Sequence, residues 1–251
     1  MFEPNDDLEV KVARVKDRGV VIIDNFYKNP DEIRQLCLDN IDKGSDAEWL
    51  RGTLPGTRLR LETDEVRDKL YDVFHNLCYD NEIWQSPYPM DDYNFKKEWG
   101  KSGFMVNIIN TETLLKEPFG ILPHQDYHTA TDKNLEHPKD QKRKYGAVIY
   151  LNTPEECAGG TNMYSLHDQV SLPDRIYSWI EKGADYGKRT QEQEFNYLYD
   201  ELENSEHYKV EHRFEMVYNR LALYPADCLH GQWVQLDQFT EYPRINQIFF
   251  M

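Results

Sequence analysis

No two of the four cysteines, Cys37, Cys78, Cys157 and Cys228, form a CxxC pair. Their wide spacing excludes a zinc knuckle and speaks against a disulfide frame, which leaves reduced, partly buried thiols. Positive charge is scarce too. Lysine and arginine number 29 against 45 acidic residues, a formal charge of −16, so the chain is self-repelling and poorly suited to docking on phosphate backbones. Its basic run, KDQKRKYG at 139–146, reads as a solvated loop. Nucleic acid is therefore disfavoured as a partner. No stretch approaches the ~20 apolar residues that span a bilayer, and the opening MFEPNDDLEV has neither the basic flank nor the apolar centre of a signal peptide. A cytoplasmic protein without membrane contact is expected. Internal repeats, low-complexity tracts and Gly/Ser/Pro-rich linkers are lacking as well, so the expectation is one domain over 1–251.

What is present is enough apolar material for a substantial core: 39% of the 251 residues are hydrophobic and 13% aromatic. Residues 1–100 read as a strand and helices packing on a β core. VVIIDNF (20–26) is a strand signal, and NPDEIRQLCLDNI follows it with Pro30 and acidic residues at a helix start. From Thr63, Val66, Leu70, Val73, Phe74 and Leu77 form one helical stripe behind Asp64 and Glu65, which suit the positive end of the helix dipole; His75 falls on the helix surface.

After Gly100 the period changes. GFMVNIIN, YGAVIYLN, TNMYSL, RLALYPA, HGQWVQL and RINQIFF are short runs rich in β-branched and aromatic residues between turn signals, so residues 101–251 read as mainly β. One interruption, about 166–217, reads as a helical insertion between strands. Within it Thr190 and Gln193 predict a capping box, and Phe195, Leu198, Tyr199 and Leu202 a helical stripe. A connection of that length is the first place to look for a substrate lid or a homodimer contact.

The stretch GILPHQDYHTAT (120–131) carries His124, Asp126 and His128 at alternate positions. On a strand, residues two apart share a face with Cα atoms roughly 6 to 7 Å apart, so His124 and Asp126 can lean onto one ion at ~2 Å bond lengths. His128 would lie too far along. A third ligand must come from elsewhere, and the other histidines sort by their surroundings. His137, His207 and His212 sit in charged stretches and His167 follows a strand end, all positions that read as solvated. His230, in NRLALYPADCLHGQW, lies between two strand signals beside Gly231, and can project into the β body or be a buried histidine bonded to a carbonyl. Two imidazoles and one carboxylate leave open coordination positions, the arrangement of non-haem Fe(II) oxygenases, whereas zinc favours a closed tetrahedron. Arg244 opens the apolar run RINQIFF, where an inward arginine needs an anionic partner and an edge arginine faces water.

In their order along the chain, HQD, YGAVIYLN, GGTNMY, LALYPADCLHG and YPRINQIFF resemble the Fe(II)- and 2-oxoglutarate-dependent dioxygenases, in particular the prolyl-hydroxylase-like branch. The resemblance covers about 103–251, and VVIIDNFYKNPDEIR is similar to the start of such enzymes. It implies an α+β, mainly β fold built on a double-stranded β-helix (jelly roll). It also implies Fe(II) held by His124, Asp126 and His230, and Arg244 on the distal carboxylate of 2-oxoglutarate. Asn107, Tyr150 and Asn152 are implied as further contacts to that cosubstrate. The implied reaction consumes dioxygen, decarboxylates 2-oxoglutarate to succinate and hydroxylates a small molecule or a protein side chain. Gly159 and Gly160 fit a backbone role in a turn, and Cys228 shares the strand parity of His230. The competing reading is a non-catalytic cupin-like metal-binding or interaction module.

Overall fold

The computed structural model describes residues 1–16, 18–41, 45–46, 57–60, 64–81, 105–116, 118–126, 145–166, 188–204, 207–226 and 228–250. Strands β1 (Val10–Val15) and β2 (Arg18–Ile23) form a hairpin ahead of helix α1 (Pro30–Asp39). The short strands β3 (Ser45–Asp46) and β4 (Thr57–Arg60) precede helix α2 (Asp64–Asp80). Strand β5 (Met105–Ile109) leads into the short helix α3 (Thr111–Lys116) and a 3-10 turn at Pro118–Ile121. Then come β6 (Tyr145–Tyr150), β7 (Gly160–Leu166), helix α4 (Gln191–Asn204), β8 (Tyr208–Glu215), β9 (Leu221–Pro225), β10 (Leu229–Trp233) and β11 (Arg244–Phe250). These strands make two antiparallel sheets, one in the order β1-β2-β9-β6-β11-β5-β4-β3 and a smaller one in the order β10-β7-β8.

Strand parity divides the large sheet into two cores. On β11, Ile245, Gln247 and Phe249 face the helices: Phe249 meets Phe74 of α2 edge-on at 4.8 Å, and Tyr27 donates its hydroxyl to Gln247 at 2.8 Å. Arg244 and Ile248, on the alternate positions, face the small sheet. The central strand β6 is buried at every position, which is why its sequence, YGAVIY, shows no polar alternation. Helices α1 and α2 cover the first core with Ile33, Cys37, Leu70, Phe74 and Leu77; of the stripe expected from the sequence, Leu70, Phe74 and Leu77 are buried, Val73 packs against them partly buried, and the Val66 side chain lies outside what is described. None of the helices among the described residues is long and apolar enough to cross a membrane.

The stretch read as a helical insertion carries more than a helix. Helix α4 starts as expected: the Thr190 amide donates to Gln193 Oε1 at 2.9 Å, the Gln193 amide donates to Thr190 Oγ1 at 3.2 Å, and Phe195, Leu198 and Leu202 are buried. But 208–215 is strand β8, paired with β7 along its length. Its sequence, YKVEHRFE, mixes charge into both faces because β8 is an edge strand, and a bulge in β8 at Glu211, skipped where Met163 pairs with His212 and Tyr164 with Val210, interrupts the period. Residues 167–187, with His167, lie outside the described residues, as do His128, His137 and most of the basic run.

Candidate metal centre

His124 and His230 face each other as a hydrogen-bonded antiparallel pair: the His124 amide donates to the His230 carbonyl at 2.8 Å, and the His230 amide donates to the His124 carbonyl at 2.9 Å. This is an isolated bridge that sets His124 against the open edge of β10; residues 122–126 do not form the strand expected from the sequence, and Asp126 follows in a bend. The ring centroids lie 4.5 Å apart. Each ring is fixed by its own chain two residues back, His124 Nδ1 at 3.1 Å from the Leu122 carbonyl and His230 Nδ1 at 3.0 Å from the Cys228 carbonyl. A carbonyl only accepts, so each Nδ1 carries the proton and each Nε2 presents a lone pair. Both lone pairs lie beside Asp126, His124 Nε2 at 3.9 Å from Oδ1 and His230 Nε2 at 3.4 Å from Oδ2. One ligand atom from each residue lies within 4.8 Å of the other two. Asp126 Oδ2 is buried and has no hydrogen-bond partner among the described residues. Burial lowers the His230 pKa to about 4 against the opposing pull of Asp126, so its ring is neutral at pH 7.

Two residues of the large sheet close the centre. Tyr224 on β9 packs its ring 4.6 Å from that of His230, and burial, reinforced by Asp126, drives its hydroxyl pKa well above the ordinary value. Gly146 on β6 lies beneath both: a Cβ there would stand 2.7 Å from Asp126 Oδ2 and 2.5 Å from Tyr224 Cε2. Only the bare backbone lets Asp126 and Tyr224 come so close.

Arg244 enters the space between the sheets from β11 and is 2% exposed. Nη1 donates to Gln232 Oε1 at 2.7 Å and Nη2 to the Gly160 carbonyl at 2.8 Å, while Nε is buried without a partner. Among the described residues no carboxylate pairs with this guanidinium. Gly160 has φ 153°, Gly159 has φ 65°, and a Cβ on Gly160 would stand 1.9 Å from the Phe214 carbonyl oxygen, so the backbone role read for this pair is what the geometry shows. Tyr150 lies behind the arginine, its ring centroid 5.9 Å from Cζ and its hydroxyl donating to Thr161 Oγ1 at 2.8 Å.

The remaining candidates separate. Asn152 spends its amide on the backbone either side of Arg244, donating to the Pro243 carbonyl at 2.9 Å and accepting from the Ile245 amide at 2.7 Å. The Asn107 backbone pairs with Asn246, and its side chain is outside what is described. Arg220, at the head of β9, grips Asp24 through Nε at 2.6 Å and Nη2 at 3.2 Å, a structural ion pair. His212 is half-buried rather than solvated. On β8 it stands opposite Met163, which stands opposite His230, and its Nε2 is buried and unpartnered while burial lowers its pKa. Gln232, Thr161, Gly146 and Tyr224 were not singled out in the sequence. For Gln232 a signal existed, since it follows His230 by two and so shares its strand face.

The chain belongs to a family of unknown function (DUF6445), which it matches over residues 6–244. No curated protein matches it. Among solved structures, a prolyl hydroxylase from Trichoplax adhaerens, in complex with a hypoxia inducible factor oxygen degradation domain peptide fragment, is similar at 12% identity and TM-score 0.48, over 93% of this chain and 83% of that one. A Pseudomonas putida prolyl-4-hydroxylase is similar at 13% identity and TM-score 0.42, over 93% and 92%. An N-substituted L-amino acid dioxygenase from Burkholderia ambifaria AMMD in complex with alpha-KG is similar at 11% identity and TM-score 0.39, over 92% and 81%. At these scores the likeness carries no functional weight by itself.

Proposed function

We propose that this protein is a non-haem Fe(II) oxygenase that couples decarboxylation of 2-oxoglutarate to hydroxylation of a substrate, on a double-stranded β-helix formed by the two sheets. The observation that carries this reading is the clustering of one ligand atom each from His124, Asp126 and His230 within 4.8 Å of one another, with both Nε2 atoms beside the Asp126 carboxylate. Three protein ligands of this type on one side of an ion leave positions open for a chelating ligand and for dioxygen. Bound iron would supply the activation of dioxygen that no side chain can provide. The chain's own contribution is to hold both imidazoles in the Nδ1–H tautomer, to keep His230 and Asp126 out of bulk water, and to present Arg244 to a carboxylate. A buried guanidinium held by two neutral oxygens keeps its charge for a ligand. That feature favours an oxygenase with an acidic cosubstrate over a metal-binding module without turnover.

The test is anaerobic addition of Fe(II) and then 2-oxoglutarate to metal-free protein, followed by the weak visible charge-transfer band of the chelate and, in air, by succinate. The Arg244→Ala protein is expected to bind metal normally and to bind 2-oxoglutarate roughly 30-fold or more weakly, the scale of losing a desolvated charged partner. Arg244→Lys, which keeps the charge and loses the fork, falls between. Unchanged 2-oxoglutarate affinity in the alanine variant removes Arg244 from the site.

A further inference from the structure

Beyond the anchor itself, the hydrogen bonds around it assign a job to Gln232. Gln232 follows His230 by two residues on β10, so the two side chains leave the same face of the strand with Cα atoms ~6 to 7 Å apart. One end of that step is the metal triad. The other is the guanidinium, whose Nη1 donates to Gln232 Oε1 at 2.7 Å. The opposite edge of the same amide, Nε2, approaches the Gly120 carbonyl at 3.4 Å, on the turn that leads into His124. A single half-buried side chain thus touches both the anchor and the segment that delivers a metal ligand.

Its chemical type matters as much as its place. An arginine has five N–H donors, and here one goes to Gln232, one to the Gly160 carbonyl, and the buried Nε–H has no partner. Gln232 and Gly160 are neutral acceptors that fix a cation without cancelling it. A carboxylate at position 232 would satisfy Arg244 internally and close the site to an acidic ligand. Leucine, of similar bulk, would release it.

We propose that Gln232 is a positioning residue that holds Arg244 at a set distance from the metal centre and thereby selects the length of the 2-oxo diacid the site accepts. This rests on the reading of Arg244 as the carboxylate anchor. Because the anchor is bonded to the residue one strand repeat from His230, a diacid that chelates at the triad must reach the guanidinium with its far carboxylate. A ligand one methylene shorter or longer misplaces that group, and misplacement costs the charged hydrogen bonds.

The experiment is calorimetric titration of oxaloacetate, 2-oxoglutarate and 2-oxoadipate into wild type, Gln232→Leu and Gln232→Glu, each loaded with a redox-inert divalent metal whose own affinity is measured first. Wild type is expected to prefer 2-oxoglutarate. Gln232→Leu should weaken 2-oxoglutarate by about 10-fold and shrink its advantage over both neighbours to within about 3-fold. Gln232→Glu should weaken all three acids by about 30-fold or more. Retained metal affinity in both variants shows that they fold. Gln232→Leu with the wild-type order and spacing of the three affinities overturns the proposal, as does Gln232→Glu that binds 2-oxoglutarate like wild type. Metal-loaded wild type that binds none of the acids overturns the carboxylate-anchor reading itself, a result distinguishable from failure of the Gln232 role alone.

Discussion

At the residue scale, the centre depends on which atoms are left without partners. Asp126 Oδ2 and Arg244 Nε are both buried and unbonded, and such groups cost roughly 1 to 3 kcal/mol each unless something arrives to satisfy them. On the proposed function, a divalent ion would satisfy the first and an anion the second. Replacing His124, Asp126 or His230 by alanine is therefore expected to weaken binding of one divalent ion sharply, read by calorimetry, with the fold retained. His212→Ala, on the far strand of the small sheet, should leave metal affinity within about 3-fold of wild type, because a half-buried group that supplies no ligand contributes little to it. A further prediction concerns Gly146. A methyl group there meets Asp126 Oδ2 and the Tyr224 ring at once, and both side chains are buried. Gly146→Ala should cost about 1 to 3 kcal/mol of stability as an overpacked site and reduce metal affinity by at least about 10-fold. Wild-type metal affinity in that variant would show that the two side chains can move apart.

At the element scale, the strands that carry the site are tied down by side chains outside it. Asn219, just before β9, has φ 59°, and its amide makes a closed pair with the Tyr27 backbone: the Tyr27 amide donates to Oδ1, and Nδ2 donates to the Tyr27 carbonyl, both at 2.9 Å. Its own backbone bonds Tyr150 and Phe26. This one residue joins the segment between β2 and α1 to the end of β6 and the start of β9. Asn219→Ala loses both buried hydrogen bonds and places a Cβ-bearing residue without local bonding in the left-handed region, an expected loss of about 2 to 5 kcal/mol. Asn219→Gly avoids the backbone part and should be about 1 kcal/mol less damaging, a difference that urea unfolding resolves. Equal losses would assign the whole effect to the hydrogen bonds. Helix α4 was legible in advance because its capping box and apolar stripe are local, within a few residues. Strand β8 was not, because an edge strand with a bulge of its own and charge on both faces has no clean period of two. The short helix α3 was also unread, although Asn110 and Thr113 exchange side-chain bonds with each other's amides at its start.

At the scale of the whole molecule, stability and the site are linked through protons. His230 has its folded pKa lowered by burial to about 4, below the ordinary histidine value of 6.5, so in metal-free protein the unfolded chain takes up this proton first as pH falls. Stability from keeping the ring neutral is complete above pH 6.5 and is lost as pH falls from 6.5 towards about 4, at a slope of up to about 1.4 kcal/mol per pH unit. Metal-free wild type should therefore lose stability over that window more steeply than His230→Gln, as measured by urea unfolding at a series of pH values; parallel profiles would count against the buried neutral ring. The sequence by itself determined the close spacing of His124 and Asp126, the apolar runs that become β5, β6, β7, β9, β10 and β11, and the residue types suited to iron and a carboxylate. These are properties of neighbours along the chain. Only the tertiary structure decided that His230 pairs with His124, that Arg244 is held by Gln232 and Gly160, and that Asn152 braces the strand of Arg244. A strand's period fixes which face a side chain takes but not which strand lies beside it. That choice is made when long loops close and both faces of the central sheet are buried together.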